Sequence, residues 1–353
     1  MARVLFACGA SSDYIRNRTI VSAASRNHRV EVIGSAAGGY PRRLATVLPR
    51  VLASRGPFDV HLAGFLGQPL MPLFWARGLR PIILDAFLSV YDTLCMDRQT
   101  FSPRSPAGRA FHRLDSWSMR RARCVLTDTE PAADFMAREF GVPRANFLAV
   151  PVGADESLFY PRPGRGDGAV DVLYVCTYLP LHGVPVVVEA ANLLRGRDDI
   201  TFTLIGRGPE RPRVEGMARK YGLANCRFLD WVPFEELPER IAACDIFLGG
   251  HFNGANEKAR RVVAGKVYQG LAMAKATVIG DCEASRISFR HGESAYLVPM
   301  GEPRALADAI LELAGSPGLR DRIGQGGRSL YEQRFSEGAL AALLDRSLEI
   351  AVT

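Results

Sequence analysis

The stretch "FYPRPGRGDGAVDVLYVCT", residues 159–177, marks the point where one folding unit ends and another begins. Its first half, residues 159–169, is rich in proline, glycine and charge, which is typical of a linker. Its second half is an apolar run of the kind that forms a buried parallel strand. Strand-like and helix-like segments alternate on both sides of it, as in doubly wound parallel sheets. The 353 residues therefore predict two α/β domains.

Short apolar runs predict the strands of both sheets. Those before the linker are residues 3–9, 28–34, 59–65, 81–87, 124–129 and 146–153. Those after it are residues 170–177, 200–206, 226–232, 245–250, 277–282 and 294–299. The final segment, residues 336–351, has the spacing of an amphipathic helix. No apolar run reaches the ~20 residues of a membrane helix, and the first run is too short for a signal peptide, so a cytoplasmic protein is expected.

The positive charge of the chain is concentrated in its first half. Residues 1–160 contain 20 Lys and Arg residues against 13 Asp and Glu residues, whereas residues 161–353 contain 24 of each. A basic domain can meet a phosphorylated substrate, an anionic membrane surface or nucleic acid. Arginines that only aid solubility would give the same count. Because nothing resembles an aromatic-interleaved nucleic-acid platform, we expect no nucleic-acid partner.

Loops that follow the strands are the candidate ligand site, because doubly wound sheets bind ligands beyond the carboxyl ends of their strands. In "LIGRGPE" (204–210), Gly206 permits close backbone approach, although a turn without a ligand is as consistent with it. In "YLPLHGV" (178–184), Gly183 would let a helix start near a ligand. His182 could touch a phosphate or a sugar there, or it could be an ordinary exposed loop histidine. Neither domain has a nicotinamide fingerprint or a P-loop.

The most basic loop of the second domain is "GANEKARRVVAGKVYQGLAMA" (254–274). Four cations, Lys258, Arg260, Arg261 and Lys266, lie within nine residues just before or at a predicted helix start. Cationic side chains, a helix dipole and free N–H groups all favour a di- or triphosphate group. A solvated basic loop is the alternative reading.

The order and spacing of these loops resemble the family 4 retaining glycosyltransferases of the GT-B fold, over about residues 170–335. The counterparts of the family's motifs are "CTYLPLHGV" (176–184), "FTLIGRGPE" (202–210), "FLDWVPFEELPERIAACDIFL" (228–248) and "KVYQGLAMAKATVIGDCEA" (266–284). The first domain matches only loosely. The "Y-x-P-L-H-G" loop is similar to a subset in which the cations move to the later loop as "K-A-x-R-V-x-x-x-K-V-Y-E".

The chain departs from the family's general pattern at several binding positions. The Arg and Lys phosphate ligands of the first loop fall on Thr177 and His182. The two glutamates of the E-x7-E motif fall on Arg261 and Gln269, and a further glutamate falls on Ile287. A glutamine can still accept and donate hydrogen bonds to a ribose, but it carries no charge.

The resemblance implies two Rossmann-like domains that face a central cleft. We expect an acceptor-binding domain at residues 1–160, a nucleotide-sugar-binding domain at 161–335, and a C-terminal helix at 336–353 that packs back on the N-terminal domain. The implied activity is hexosyltransferase-like transfer from a nucleoside-diphosphate sugar to an acceptor hydroxyl, with retention, no metal and no cofactor. A sugar-nucleotide epimerase and a non-catalytic GT-B partner protein stay open as alternatives.

The expected site combines the basic loop with the other strand-end loops. Lys266 and Lys258 are the expected catalytic cations, and Asp85, which ends a predicted strand, is the expected acceptor contact. The expected donor-binding residues are Thr177, His182, Gly183, Gly206, Arg207, Trp231, Val232, Arg261 and Gln269. The acceptor could be a glycan, a lipid-linked sugar or a small natural product. A basic N-terminal domain also allows peripheral contact at the inner face of the membrane.

Overall fold

The computed structural model describes residues 1–36, 38–164 and 168–352, so residues 165–167 of the predicted linker lie outside the described residues. The chain divides into two compact units. One comprises Met1–Gly153 together with the helix that begins at Glu337, and the other comprises Ala154–Ser336. The linker pattern placed the domain boundary slightly later, after residue 160.

The first unit contains a six-stranded sheet in which all neighbours are parallel, in the order β2-β1-β3-β4-β5-β6. Its strands confirm the predicted apolar runs and are β1 (Arg3–Ser11), β2 (Arg29–Ser35), β3 (Val60–Ala63), β4 (Ile82–Asp85), β5 (Cys124–Thr127) and β6 (Phe147–Ala149). Because the strands are parallel, their carboxyl ends share one edge of the sheet and their amino ends share the other.

Helices cover both faces of this sheet, which explains why its strands are apolar on both sides. They are α1 (Ile15–Ser25), α2 (Tyr40–Ala53), α3 (Met71–Ala76), α4 (Pro106–Arg121), α5 (Glu130–Phe140) and the last helix of the chain, α14 (Glu337–Val352). Helix α14 packs beside α1, and its apolar residues Leu340, Leu344 and Leu348 join the same core as Val4 and Leu126. Residues of α2 to α5 form the core on the opposite face.

A fully buried ion pair ties the carboxyl edge of this sheet together. Arg16 of α1 and Asp85 at the end of β4 have 0% exposed side chains, and their Nη2 and Oδ1 atoms are 2.9 Å apart. The same guanidinium donates to the backbone oxygens of Thr127, which ends β5, and of Val150 and Pro151, which follow β6. Asp85 therefore does not fit the expected acceptor contact, because its carboxylate is enclosed and is bound to Arg16.

The second unit repeats the architecture with a six-stranded parallel sheet in the order β12-β11-β10-β7-β8-β9. Its strands are β7 (Val170–Val175), β8 (Ile200–Ile205), β9 (Cys226–Leu229), β10 (Ile246–Leu248), β11 (Ala276–Asp281) and β12 (Tyr296–Pro299). Its helices are α6 (Val184–Leu193), α7 (Arg211–Tyr221), α8 (Leu237–Ala243), α9 (Glu257–Arg261), α10 (Gly265–Ala272), α11 (Glu283–Ser288), α12 (Pro303–Gly315) and α13 (Pro317–Arg334).

The sequence pattern did not predict helix α13, which contains glycines that disfavour a helix. The structure gives these glycines a packing role. A Cβ atom at Gly324 would lie 2.2 Å from the carbonyl oxygen of Ala274, and one at Gly326 would lie 2.1 Å from that of Glu293. Glycine thus lets α13 approach neighbouring backbone.

Among the helices of the described ranges, none combines the length and apolarity needed to cross a bilayer.

The buried pair of Arg16 and Asp85 predicts a large effect on stability. Asp85→Ala should lower the free energy of unfolding by about 3–5 kcal/mol, because it leaves the Arg16 guanidinium buried without its counter-ion. Urea denaturation followed by circular dichroism measures this change. Arg26→Ala is the matched control, because the Arg26–Glu337 pair of the same unit spans 3.6 Å with side chains 53% and 26% exposed. That variant should lose at most about 1 kcal/mol, and equal losses would contradict the assignment.

Candidate anion site of the second unit

The second sheet has a topological switch point between β7 and β10. The chain proceeds from β7 outward through β8 and β9 on one side, and from β10 outward through β11 and β12 on the other. The loops that follow β7 and β10 therefore diverge at the carboxyl edge and leave a crevice. Ligands of open α/β sheets bind in this kind of crevice.

Backbone hydrogen bonds and close backbone packing hold the two loops at this switch point together. The loop after β7 forms a short 3-10 helix, Pro180–His182, and reaches α6 through Gly183, whose φ is +65°. The carbonyl oxygen of His182 accepts hydrogen bonds from the Tyr174 hydroxyl at 2.8 Å and the Phe252 amide at 3.2 Å. A Cβ atom at Gly183 would lie 2.4 Å from the amide nitrogen of Asn253, so the close contact requires glycine.

These backbone contacts bring one histidine from each loop into a stacked pair. The rings of His182 and His251 are parallel within 5°, with centroids 5.5 Å apart, and both residues are buried. Within the described ranges, neither Nδ1 atom has a hydrogen-bond partner. Burial, followed by the nearby Lys266 charge, holds the pKa of His182 well below its usual value and lowers that of His251 to about 3. Both rings are therefore neutral at physiological pH.

Lys266, at the start of α10, supplies a buried positive charge beside this pair. Its Nζ atom lies 4.8 Å from the centroid of the Tyr174 ring, in a cation–π contact. Nζ is buried, and none of the described residues offers it a hydrogen bond. Burial lowers the pKa of Lys266 from 10.5 to about 8. A buried ammonium without a counter-ion favours an anionic guest.

The preceding helix and the rest of α10 complete the basic loop. Lys258 of α9 is buried, and its charge contributes to the lowered pKa of His251. Arg261 is half-buried at the end of the same helix. Gln269 lies on the buried side of α10. The structure therefore brings Lys258, Lys266 and His182 of the expected site to one place, with Arg261 and Gln269 on the same two helices.

The other expected donor residues lie at the ends of β7, β8 and β9. Thr177 is exposed, and Val232 is half-buried. Trp231 is 49% exposed, which leaves much of its surface available. Arg207 is 68% exposed and forms a two-point ion pair with Asp230, at 2.5 and 2.6 Å.

Gly206 has a structural reason to be glycine. Its φ is +136°, and a Cβ atom there would lie 1.9 Å from the Cys176 carbonyl oxygen. The close approach of the chain segments that follow β7 and β8 therefore explains why this residue is a glycine. Ile287, at the position of a family glutamate, is 50% exposed on α11.

The sequence interpretation missed His251 and Tyr174. Tyr174 lies inside a strand, where an aromatic residue is ordinary core material. His251 follows a Gly-Gly pair directly after β10, which is the strand that flanks β7. The strand order that makes its loop the partner of the His182 loop appears only in the folded sheet.

Both halves of the chain match sequence models of glycosyltransferase families. Residues 2–153 match the model described as "Glycosyl transferase 4-like domain". Residues 169–316 match the model described as "Glycosyl transferases group 1". The two matches correspond to the first and second units without overlap, and they are consistent with the resemblance found in the sequence.

Individual relatives are similar at modest identity. The chain is 31% identical over 160 residues to the lipopolysaccharide core biosynthesis glycosyltransferase LpsD of Rhizobium meliloti. This match covers 44% of this chain and 44% of that protein. It is 25% identical over 316 residues to the MMP alpha-(1->4)-mannosyltransferase of Mycolicibacterium hassiacum, which covers 86% of this chain and 73% of that protein. The match thus spans less than half the length of the first relative.

Solved structures show the same fold at low sequence identity. HepE of Anabaena, crystallised in complex with UDP and glucose, superposes with a TM-score of 0.76 at 14% identity, covering 99% of this chain and 100% of that chain. Its fold, the two parallel six-stranded sheets and the two family matches agree with one another. The chain therefore has the GT-B fold, and each of its two units matches a glycosyltransferase family model.

Proposed function

We propose that the chain transfers a sugar, of hexose type, from a nucleoside-diphosphate sugar to an acceptor hydroxyl group. The transfer retains the anomeric configuration and uses neither a metal ion nor a cofactor. The second unit binds the donor, and the first unit binds the acceptor. The matches to the two glycosyltransferase family models support the class of reaction, and UDP or UDP-glucose in the HepE crystals supports the class of donor.

One observation carries the proposal: the buried Lys266 ammonium at the switch point of the second sheet. Its Nζ atom has no hydrogen-bond partner among the described residues, and the neighbouring His182 and His251 rings are held neutral. A nucleoside diphosphate would supply the missing negative charge and accept hydrogen bonds from this group. Lys258 and the amino end of α10 add further positive potential.

The same cations can promote departure of the diphosphate. In the transfer, the bond between the anomeric carbon and the diphosphate oxygen breaks, and its electron pair leaves with the diphosphate. The acceptor oxygen bonds to the anomeric carbon from the same face, and its proton passes to the departing diphosphate. Lys266 and Lys258 stabilise the negative charge that develops on the leaving group, and their fixed position avoids the cost of reorganising solvent.

The remaining donor contacts follow the sequence interpretation. We propose that Gln269 holds the ribose through its amide, and that backbone groups near Trp231 and Val232 hold the base. Thr177, His182 and Gly183 face the phosphates from the first loop, Arg207 and Gly206 border the nucleotide, and Arg261 adds charge. Asp85 has no role in this proposal, because it is enclosed with Arg16.

The acceptor is proposed only as a class: a glycan, a lipid-linked sugar or a small natural product. The excess positive charge of residues 1–160 suits an acceptor or a membrane that carries phosphate groups. For a lipid-linked acceptor, the protein would work in the cytoplasm, in peripheral contact with the inner face of the membrane.

A non-catalytic GT-B partner is the second candidate. The observation that favours it is the loss of carboxylates at Arg261, Gln269 and Ile287, the positions where the family pattern has glutamates. Incubation with a panel of nucleoside-diphosphate sugars separates the two. An enzyme releases the nucleoside diphosphate slowly even without an acceptor, whereas a non-catalytic partner does not. An epimerase would convert the donor without releasing the nucleoside diphosphate.

Substitution of Lys266 tests the donor site. Lys266→Ala should lower transfer by more than about 100-fold, because a preorganised charge at the leaving group is lost. The rate of nucleoside diphosphate release at saturating donor measures this. Lys220→Ala is the matched control, because Lys220 is one of the four lysines and is exposed on α7. Near wild-type turnover of Lys266→Ala at saturating donor would refute the role.

The lowered pKa of Lys266 predicts a pH dependence of donor binding. Below about pH 8 the side chain is an ammonium and binds diphosphate; above that value the free protein loses the charge. UDP affinity should therefore weaken by up to about tenfold per pH unit above pH 8, with proton uptake on binding. Isothermal titration calorimetry in buffers of different ionisation enthalpy measures both effects.

Lys266→Arg provides the control for this pH profile. A guanidinium stays charged throughout this range, so UDP affinity of the variant should not change between about pH 7 and pH 9. If wild-type affinity is equally constant over that range, then the charge that binds the diphosphate does not belong to Lys266.

A further inference from the structure

A basic cavity lies at the amino edge of the first sheet, the edge opposite the Arg16–Asp85 pair. It has a volume of about 650 Å³. Its arginines precede β4 and β5 or end α4: they are Arg80, Arg120, Arg121 and Arg123. The aliphatic residues Ile350 and Val352 of α14 form another wall, and Val352 is 62% exposed.

These guanidinium groups are not neutralised by neighbouring acids. Arg120 donates to the carbonyl oxygen of Phe140 at 3.1 Å, as cations near helix ends commonly do. The other three have no such explanation. In the part of the chain that the structure describes, no carboxylate forms an ion pair with Arg80, Arg121 or Arg123, and no Asp or Glu lines the cavity.

Tryptophan side chains fix the direction of two of the arginines. The guanidinium carbons of Arg80 and Arg121 lie 3.4 and 4.3 Å from the centroid of the Trp75 ring. Trp117 packs edge-on against Trp75, with centroids 6.3 Å apart, and lies 5.9 Å from the guanidinium carbon of Arg121. Such stacking restricts the arginines before a ligand arrives, so a guest meets charges that are already ordered.

We propose that this cavity binds the phosphate group of an anionic phospholipid headgroup and holds the first unit against a membrane surface. Arginine guanidinium groups match phosphate oxygens in two-point hydrogen bonds. The mixture of arginine, tryptophan and exposed aliphatic residues suits the boundary between headgroups and acyl chains. The proposal depends on the membrane contact suggested above, and the transferase chemistry of the second unit is independent of it.

Vesicle binding tests the proposal directly. The wild-type chain should sediment with phosphatidylcholine vesicles that contain phosphatidylglycerol, and not with phosphatidylcholine alone. Arg121→Gln/Arg123→Gln should weaken this binding by about tenfold or more, because two charges near an anionic surface are lost. Arg123 is exposed, and its side chain forms no hydrogen bond or ion pair with the described residues, so Arg123→Gln alone should weaken binding by about fivefold without a folding defect.

The matched control removes the same charge from the other end of α4. Arg104 and Arg109 are exposed at the amino end of that helix, so Arg104→Gln/Arg109→Gln has the same net charge as the cavity variant. It should bind vesicles like the wild type. UDP binding should be unchanged in all these variants, so failure of the lipid site can be told from failure of the donor site.

A second readout distinguishes a headgroup from free phosphate. The chain has three tryptophans, and Trp231→Phe leaves only Trp75 and Trp117 as fluorophores beside the cavity. Inorganic phosphate that changes their fluorescence at constant ionic strength, without vesicle binding, would support a phosphate site with a soluble ligand and reject the lipid. If neither vesicles nor phosphate bind, or if the cavity and control variants lose binding equally, the proposal fails.

Discussion

A buried ammonium, to which the described residues offer no hydrogen bond, is the constraint on which the candidate anion site of the second unit depends. The pKa of Lys266 is lowered from 10.5 to about 8, which corresponds to roughly 3 kcal/mol of unfavourable free energy for the charged form. The protein tolerates this cost because the Tyr174 ring contacts the ammonium and because α10 is anchored by its buried residues, among them Val267 and Leu271. An anionic ligand would offset this cost on binding, so part of the unfavourable free energy would contribute to affinity for that ligand.

The neighbouring groups preserve this uncompensated charge. His182 and His251 are neutral, so they do not repel a cation, and they can still donate or accept hydrogen bonds. Residues three apart on a helix are neighbours, so a glutamate at position 269 would stand next to Lys266 on α10 and would partly neutralise it. Gln269 adds no such carboxylate beside Lys266, and its amide can still donate and accept hydrogen bonds.

Much of the fold could be predicted from the sequence, because buried parallel strands are short apolar runs and each such run became a strand. Helix α13 could not, since its glycines are explained only by the backbone that they approach. The position of Lys266 at a helix start was predictable from the sequence and is confirmed, whereas its role toward a ligand stays a prediction. The burial of Asp85 could not be predicted, because its partner, Arg16, is 69 residues away in sequence.

The placement of the last helix has a consequence for how the protein is made. Helix α14 follows the whole second unit in sequence, yet its apolar side belongs to the core of the first unit. A growing chain can therefore complete the second unit while the first still exposes the apolar surface that α14 will cover. Synthesis proceeds from the N-terminus, so the first unit to emerge is the last to be finished. Its exposed face is then open to chaperones or to aggregation while residues 154–336 and α14 itself are made.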